Sequence, residues 1–177
     1  MHTPQRQRGI ALLIFVLGML AGASFLLVRA ISAGADRKAD VAQTYRSLNE
    51  AKQALLGYAA TRLDDVGHLP CPDTAYGVPT VGFDPIGSSN TPCGPLGAPS
   101  LGLFPFNSVE SNDIRDASGA SLWYAVSGNH KINPATVPLN SDTAATLSVD
   151  GASDIAAVII APGPALPGQV RGVDLRC

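Results

Sequence analysis

An uninterrupted apolar stretch, from Ile10 to Val28, constrains this 177-residue chain more than any other feature. None of its side chains ionises, and as an α-helix it would span about 28 Å, close to the hydrocarbon thickness of a bilayer. Arg6 and Arg8 precede the stretch and Arg29 follows it, and the longer basic flank favours a cytoplasmic N-terminus. The stretch therefore predicts one membrane crossing, with the rest of the chain on the far side.

Two simpler interpretations of this stretch stay open. Ala33-Gly34-Ala35 has the small-x-small form of a signal-peptide cleavage site, although the apolar run is longer than the roughly 7–15 residues usual in a signal peptide. The stretch also fits a plain membrane anchor that is never cleaved.

Beyond the apolar stretch, the spacing of apolar residues is typical of an amphipathic helix. They recur at intervals of three and four, at Val41, Tyr45, Leu48, Ala51 or Lys52, Leu55, Ala59 and Leu63. No proline occurs between Ile10 and Leu69, and Gly67 and Pro70 are stop signals. One helix from Ile10 to about Arg62 is therefore predicted.

The three cysteines, Cys71, Cys93 and Cys177, all follow the apolar stretch. If that part of the chain lies in the periplasm, the compartment is oxidising and a disulfide is expected. Cys71 and Cys93 each lie in a proline-flanked loop, so we expect them to pair and to contribute roughly 3 kcal/mol by closing the loop between them. Cys177 is left over, available for pairing between molecules.

Glycine and proline are frequent beyond position 66. In the region from Pro70 to about Asn107, the apolar residues recur with neither helical nor strand spacing. We predict an irregular loop there, held by the disulfide. Three strands are predicted at 121–127, 145–149 and 155–161, with a turn at Asp150-Gly151 between the last two. They would form one antiparallel sheet that covers the apolar stripe of the helix.

The N-terminal block, a basic leader that ends in Arg8-Gly9 and leads directly into an apolar helix, resembles type IV pilin-like proteins, the pilins and the pseudopilins of type II secretion. The blocks at 67–73, 116–126 and 157–163 are similar to those of a subgroup of prepilin-like proteins. The resemblance implies processing residues Gly9 and Ile10: a leader of residues 1–9 is removed after Gly9, and the new N-terminal amine of Ile10 is methylated.

The resemblance also implies a fold and a location. The fold would be α+β and pilin-like, with a long N-terminal helix packed on a small antiparallel sheet and a disulfide-closed irregular loop. The helix would have a transmembrane half at 10–28 and an amphipathic half at 29–63, and residues 64–177 would form a periplasmic domain. The chain would be a single-pass protein of the bacterial inner membrane, with its N-terminus in the cytoplasm, or part of a pilus.

The function implied is that of a structural subunit, a minor pilin or pseudopilin of a type IV pilus or type II secretion system. Its partners would be other such subunits, the prepilin peptidase and the inner-membrane assembly platform. Pilin-like proteins usually carry glutamate at the fifth mature position, where this chain has Ile14. The large tip pseudopilin also lacks that glutamate, which suggests a tip position, but this chain is too short for that subunit's inserted domain.

Two other classes of function remain. One is a bitopic periplasmic binding or adhesin-like domain that does not polymerise, and the other is a secreted enzyme released after Ala35. Against the enzyme, the histidines at 2, 68 and 130 lie in the leader and in loops, and no G-x-S-x-G occurs. The formal net charge of −2, with both signs mixed along the chain, gives no indication of a nucleic-acid partner.

No cofactor is predicted. Two groups of aspartates raise the question of calcium, because hard cations prefer oxygen ligands. The first group is Asp64, Asp65, Asp73 and Asp84, and the second is Asp142, Asp150 and Asp154. Neither group has the alternating spacing of a dedicated calcium loop, so we interpret these aspartates as solvated turn residues. Zinc would need two ligands beyond Cys71 and Cys93, and His68 alone is insufficient.

Overall fold

The structure, a computed structural model, describes residues 5–62, 65–74, 86–132 and 138–169, and within its helix the side chains at 12–25 and 36–61. The chain divides into two compact units, Met1–Ala42 and Gln43–Cys177. Helix α1, Gln5–Thr61, supplies the described part of the first unit, and only its last part, from Gln43, belongs to the second.

The end of α1 is fixed by local hydrogen bonds. The hydroxyl of Thr61 donates to the carbonyl of Gly57 over 2.9 Å, and the N–H of Gly67 donates to the carbonyl of Ala59 over 2.9 Å. The last four carbonyls of a helix have no partner within it, so the bond from Gly67 satisfies the Ala59 carbonyl, and the Thr61 hydroxyl adds a second bond to the Gly57 carbonyl. Gly67 has φ of +85°, a conformation that favours glycine, which agrees with the stop signal expected there.

In the part of the chain that the structure describes, five short strands lie in the second unit and form two antiparallel sheets. The first sheet has the order β1-β2-β5, and the second pairs β3 with β4. The strands are β1 at Ser100–Leu103, β2 at Trp123–Val126, β3 at Leu147–Val149, β4 at Ala152–Ile155 and β5 at Ala157–Ile160.

The core of the second unit lies between the end of α1 and the inner face of the three-stranded sheet. Ala51 and Leu55 of the helix are buried together with Tyr124 and Val126 of β2. Phe104 meets the Tyr124 ring edge-on, with 6.1 Å between ring centroids. The remaining buried members of this cluster come from loops and are Leu69, Val109, Ile114 and Leu122.

The predicted fold class is wrong. The unit that contains the sheets has only the final part of α1, and its strands form two sheets, so in the described chain no long N-terminal helix packs on a single antiparallel sheet. Along the predicted apolar stripe, Leu55 is buried and Leu48 half-buried, whereas Val41 and Tyr45 are exposed. The stripe therefore meets the core only from about Leu48 onward.

The predicted transmembrane half and the single-pass inner-membrane location are also wrong. In the part of the chain that the structure describes, no helix is long and apolar enough to cross a membrane.

The strand prediction is right in outline and wrong in pairing. Asp150-Gly151 forms the expected turn, but the run 155–161 divides at Ala156 into the end of β4 and the whole of β5. Consequently β4 pairs with β3 while β5 pairs with β2, and one sheet becomes two. The region predicted as irregular, up to Asn107, contains β1.

Candidate functional site

The most exposed apolar surface of the described chain lies on α1 at 12–25. Every residue in this stretch is exposed, and its large apolar side chains retain between 46% and 68% of their accessible surface. They are Leu12, Leu13, Ile14, Phe15, Val16, Leu17, Met19, Leu20 and Phe25. A soluble monomer rarely leaves so much contiguous apolar surface in water, so the stretch has the character of an interaction surface.

The predicted processing residues lie just before this surface. Gly9 and Ile10 are within the backbone bounds of α1, but their side chains lie outside the described residues. Ile14, which stands where pilin-like proteins usually have glutamate, is 64% exposed.

The predicted disulfide is present. Cys71 and Cys93 are bonded, their Cα atoms are 5.8 Å apart, and both residues are buried. The bond joins the chain that follows α1 to the segment leading into β1. The prediction of an intramolecular pair is therefore confirmed, while Cys177 lies outside the described residues.

A buried lysine holds the same segment from the other side. Lys131 is 1% exposed, and its ammonium donates to the carbonyls of Cys93, over 2.8 Å, and Pro95, over 3.0 Å, and to the hydroxyl of Ser100 over 3.0 Å. Three acceptors match the three protons of the ammonium group. Burial lowers the pKa of Lys131, because desolvation disfavours the charged form.

A turn at Asp116 joins the helix to the sheet region. One carboxylate oxygen of Asp116 accepts bonds from the backbone and hydroxyl of Ser118 and from the N–H of Ala120, and the other accepts from the N–H of Gly163. Burial raises the pKa of Asp116, but these hydrogen bonds outweigh it and hold that pKa below its usual value. The adjoining residues bond to α1: the N–H of Ala117 donates to the Thr44 hydroxyl over 3.2 Å.

A polar cluster joins the end of β2 to β3. The Ser127 hydroxyl oxygen accepts from the N–H of Thr146 over 2.9 Å, and Nδ1 of His130 lies 3.3 Å from the same oxygen. The Thr146 hydroxyl in turn accepts from the N–H of Gly128 over 3.1 Å. Ser127 is fully buried, so a substrate has no access to the only serine that His130 contacts in the described chain. The cluster supports attachment of the β3–β4 hairpin rather than nucleophilic catalysis.

The predicted aspartate groups do not converge. Among the described residues, no group of three or more histidine, cysteine, aspartate or glutamate side chains is placed to hold a metal ion. Asp73 accepts a backbone bond from Gly87 and Asp154 one from Ala145. Asp64 and Asp84 lie outside the described residues.

Sequence reasoning identified the disulfide but missed Lys131, the hydrogen bonds of Asp116 and the Ser127–Thr146 contact. A lysine in a polar loop gives no local signal of burial, because lysine is ordinarily a surface residue. The contact between Ser127 and Thr146 depends on the pairing of the sheets, which the sequence pattern misassigned.

Comparison of the chain with protein-family models, with curated proteins and with solved structures finds no match.

Proposed function

We propose that this chain is a structural subunit of a pilus-like or secretion-type assembly, a minor pilin or pseudopilin. It is cut after Gly9, and neighbouring subunits then cover the apolar surface at 12–25. The observation that carries the proposal is the exposure of every residue in that surface. Apolar area in water costs about 25 cal/mol per Å², so association that buries this helix is strongly favoured.

The leader supports the same proposal. Arg8-Gly9 directly precedes the apolar run, as it does in substrates of prepilin peptidases. In this proposal that peptidase is one partner, other subunits are the second, and an assembly platform is the third. The second unit, with its disulfide and its buried Lys131, supplies a rigid domain that the helix carries into the assembly.

The burial of the helix is tested by thiol labelling in assemblies isolated from the host. A Met19→Cys variant is made in a Cys177→Ser background, where Cys71 and Cys93 are paired, and Tyr45→Cys is the matched control on the exposed helix outside the surface. We expect a water-soluble maleimide to modify Tyr45→Cys at once and Met19→Cys only after dissociation in detergent. Equal labelling of both variants before dissociation contradicts the proposal.

The cleavage is tested by substitution of the glycine before the proposed cut. Gly9→Leu is expected to accumulate as the unprocessed precursor, seen as a mass larger by the leader. Gly18→Ala is the control, because a Cβ added at Gly18 meets nothing within 4 Å. If Gly9→Leu is processed like Gly18→Ala, cleavage after Gly9 is excluded.

A further inference from the structure

The two edges of the three-stranded sheet differ in a way that points to a partner. The outer edge of β1 is closed by the chain itself, since Asp73 and Leu103 exchange two backbone hydrogen bonds of 3.0 and 2.8 Å. The outer edge of β5 has no partner strand in the described parts of the chain. An open edge presents unpaired backbone donors and acceptors in a row, ready for another strand.

The pairing of β5 with β2 identifies which backbone groups face outward. The N–H of Ser127 donates to the carbonyl of Ala156, and the same register continues along the pair. Hydrogen-bonded pairs alternate in an antiparallel ladder, so the groups of Val158 and Ile160 face β2. Those of Ala157 and Ile159 therefore face away from the sheet.

The usual devices that protect an edge are missing from β5. Its four residues, Ala157–Ile160, include no charge and no proline, and the register shift recorded in the sheets lies in the β3–β4 pair. Lysine, proline and bulges are what natural edges use against pairing. No ionisable residue occurs from Ile155 through Gln169, so an identical strand meets no like-charge repulsion here.

The outer face of the same sheet is apolar as well. Two rows of side chains cross it, on the face opposite the buried Tyr124 and Val126. Leu101 and Ile160 at its two sides are 55% and 43% exposed. The rows are Leu101-Ala125-Val158 and Leu103-Trp123-Ile160.

We infer that β5 pairs antiparallel with β5 of a second copy of this chain. In one register, the outward N–H and C=O groups of Ala157 and Ile159 are all hydrogen-bonded to the second copy. This register places Ala157 opposite Ile159 of the second copy, and Val158 opposite Val158 of the second copy. The row that ends at Val158 then continues into the same row of the second copy, which lengthens the apolar face. Such a two-fold contact closes on itself, so it makes a dimer and is separate from association through the helix.

Disulfide cross-linking tests the register directly. Opposite residues in a non-hydrogen-bonded pair have Cα atoms about 4.5 Å apart, within the range that a disulfide bridges. The full chain carrying Val158→Cys in the Cys177→Ser background is oxidised in a non-ionic detergent and run on a non-reducing gel. We expect most of it to become a covalent dimer, while Val149→Cys, exposed on β3, stays monomeric.

A second variant tests the backbone bonds. Ile159→Pro removes an outward N–H that takes no part in the pairing with β2, but it also removes a side chain that packs against the core, so its folding is checked first by urea unfolding. In the folded variant we expect the Val158→Cys cross-link to fall at least tenfold. If Ile159→Pro fails to fold, the comparison of Val158→Cys with Val149→Cys still tests whether β5 pairs with β5 of a second copy. Equal cross-linking at 158 and 149 overturns the inference.

Thiol labelling at position 19 separates this inference from the proposed function. Labelling of Met19→Cys in the isolated assemblies reports burial of the helix surface, whereas the Val158→Cys cross-link, formed in detergent that dissociates the helices, reports pairing through β5. Protection of Met19→Cys without a cross-link at 158 overturns β5 pairing and leaves the proposed function standing. A cross-link at 158 with Met19→Cys labelled as readily as Tyr45→Cys supports β5 pairing and contradicts the proposed function, and the absence of both the protection and the cross-link overturns both.

Discussion

Lys131 is a buried cation that relies on neutral oxygens. The described chain offers it two carbonyls and a hydroxyl within 3.0 Å, and its hydrogen bonds reach the disulfide segment at Cys93. A buried charge is tolerated only when its hydrogen bonds are satisfied, which explains why the ammonium ties down 93–100 rather than turning to water. The disulfide and Lys131 therefore fix one segment from two directions.

Replacing Lys131 by methionine keeps the bulk of the stem but removes a donor from each of its three acceptors, of which the Cys93 carbonyl still accepts from the Ser100 hydroxyl. We expect a loss of about 2–4 kcal/mol in the free energy of unfolding, because buried acceptors that lose their donor keep the full desolvation penalty. Lys52→Met on the exposed side of α1 is the control and is expected to change stability by less than about 0.5 kcal/mol. Urea unfolding measures both; equal midpoints contradict the role assigned to Lys131.

Asp116 makes stability depend on pH in the acid range. Hydrogen bonding holds the pKa of Asp116 in the folded chain below the ordinary 3.8. The contribution of the carboxylate to the free energy of unfolding is therefore complete above about pH 4, and it is lost as the pH falls through the folded pKa. We expect Asp116→Asn to be less stable than the native chain at neutral pH and to lose less stability between pH 4 and pH 2. Asp40→Asn, on the exposed helix, is the control and should keep the native slope. If the stability of Asp116→Asn falls between pH 4 and pH 2 as steeply as that of the native chain, the role assigned to the Asp116 carboxylate is contradicted.

The contacts of single residues were predictable where neighbouring residues in the sequence determine them. The cysteine pair was expected from proline-flanked loops and an oxidising compartment. The burial of Lys131 was not predictable, because its acceptors come from residues more than 30 positions away. Long-range pairing decides such contacts, and no local pattern encodes it.

The strands show the same division between local and long-range information. The turn at Asp150-Gly151 was predicted correctly, since it depends on neighbouring residues. β1 was missed because Ser100–Leu103 is short and lies among glycines and prolines. The division of 155–161 at Ala156 follows from two competing partners, β3 and β2, and apolar content alone does not reveal it.

Attachment of the β3–β4 hairpin is expected to weaken on acidification. Burial lowers the pKa of His130, the nearby His68 lowers it further, and the carboxylate of Asp154 raises it. Burial has the largest effect, so the pKa of His130 lies below the ordinary 6.5. The unfolded chain therefore binds the proton more readily, so stability is complete above about pH 6.5 and falls as the pH drops through the folded pKa. We expect His130→Asn to lose less stability than the native chain between pH 7.5 and pH 5, measured by urea unfolding. Identical losses contradict the prediction.

At the level of the whole molecule, the apolar helix and the sheet domain have separate tasks. The second unit buries its own core around Tyr124 and Leu55, whereas the first unit has exposed side chains throughout 12–25. The sequence predicted a membrane crossing for that stretch, but no helix of the described chain is long and apolar enough for one. In the proposed function, neighbouring subunits cover the stretch.

Determination of the N-terminus of the chain purified from its host tests this account most directly. Intact mass combined with N-terminal sequencing is expected to give a start at Ile10, heavier by one methyl group where the amine is modified. A start at Met1 or at Asp36 contradicts the account, because the first leaves the leader in place and the second removes the surface at 12–25 on which the proposed assembly depends.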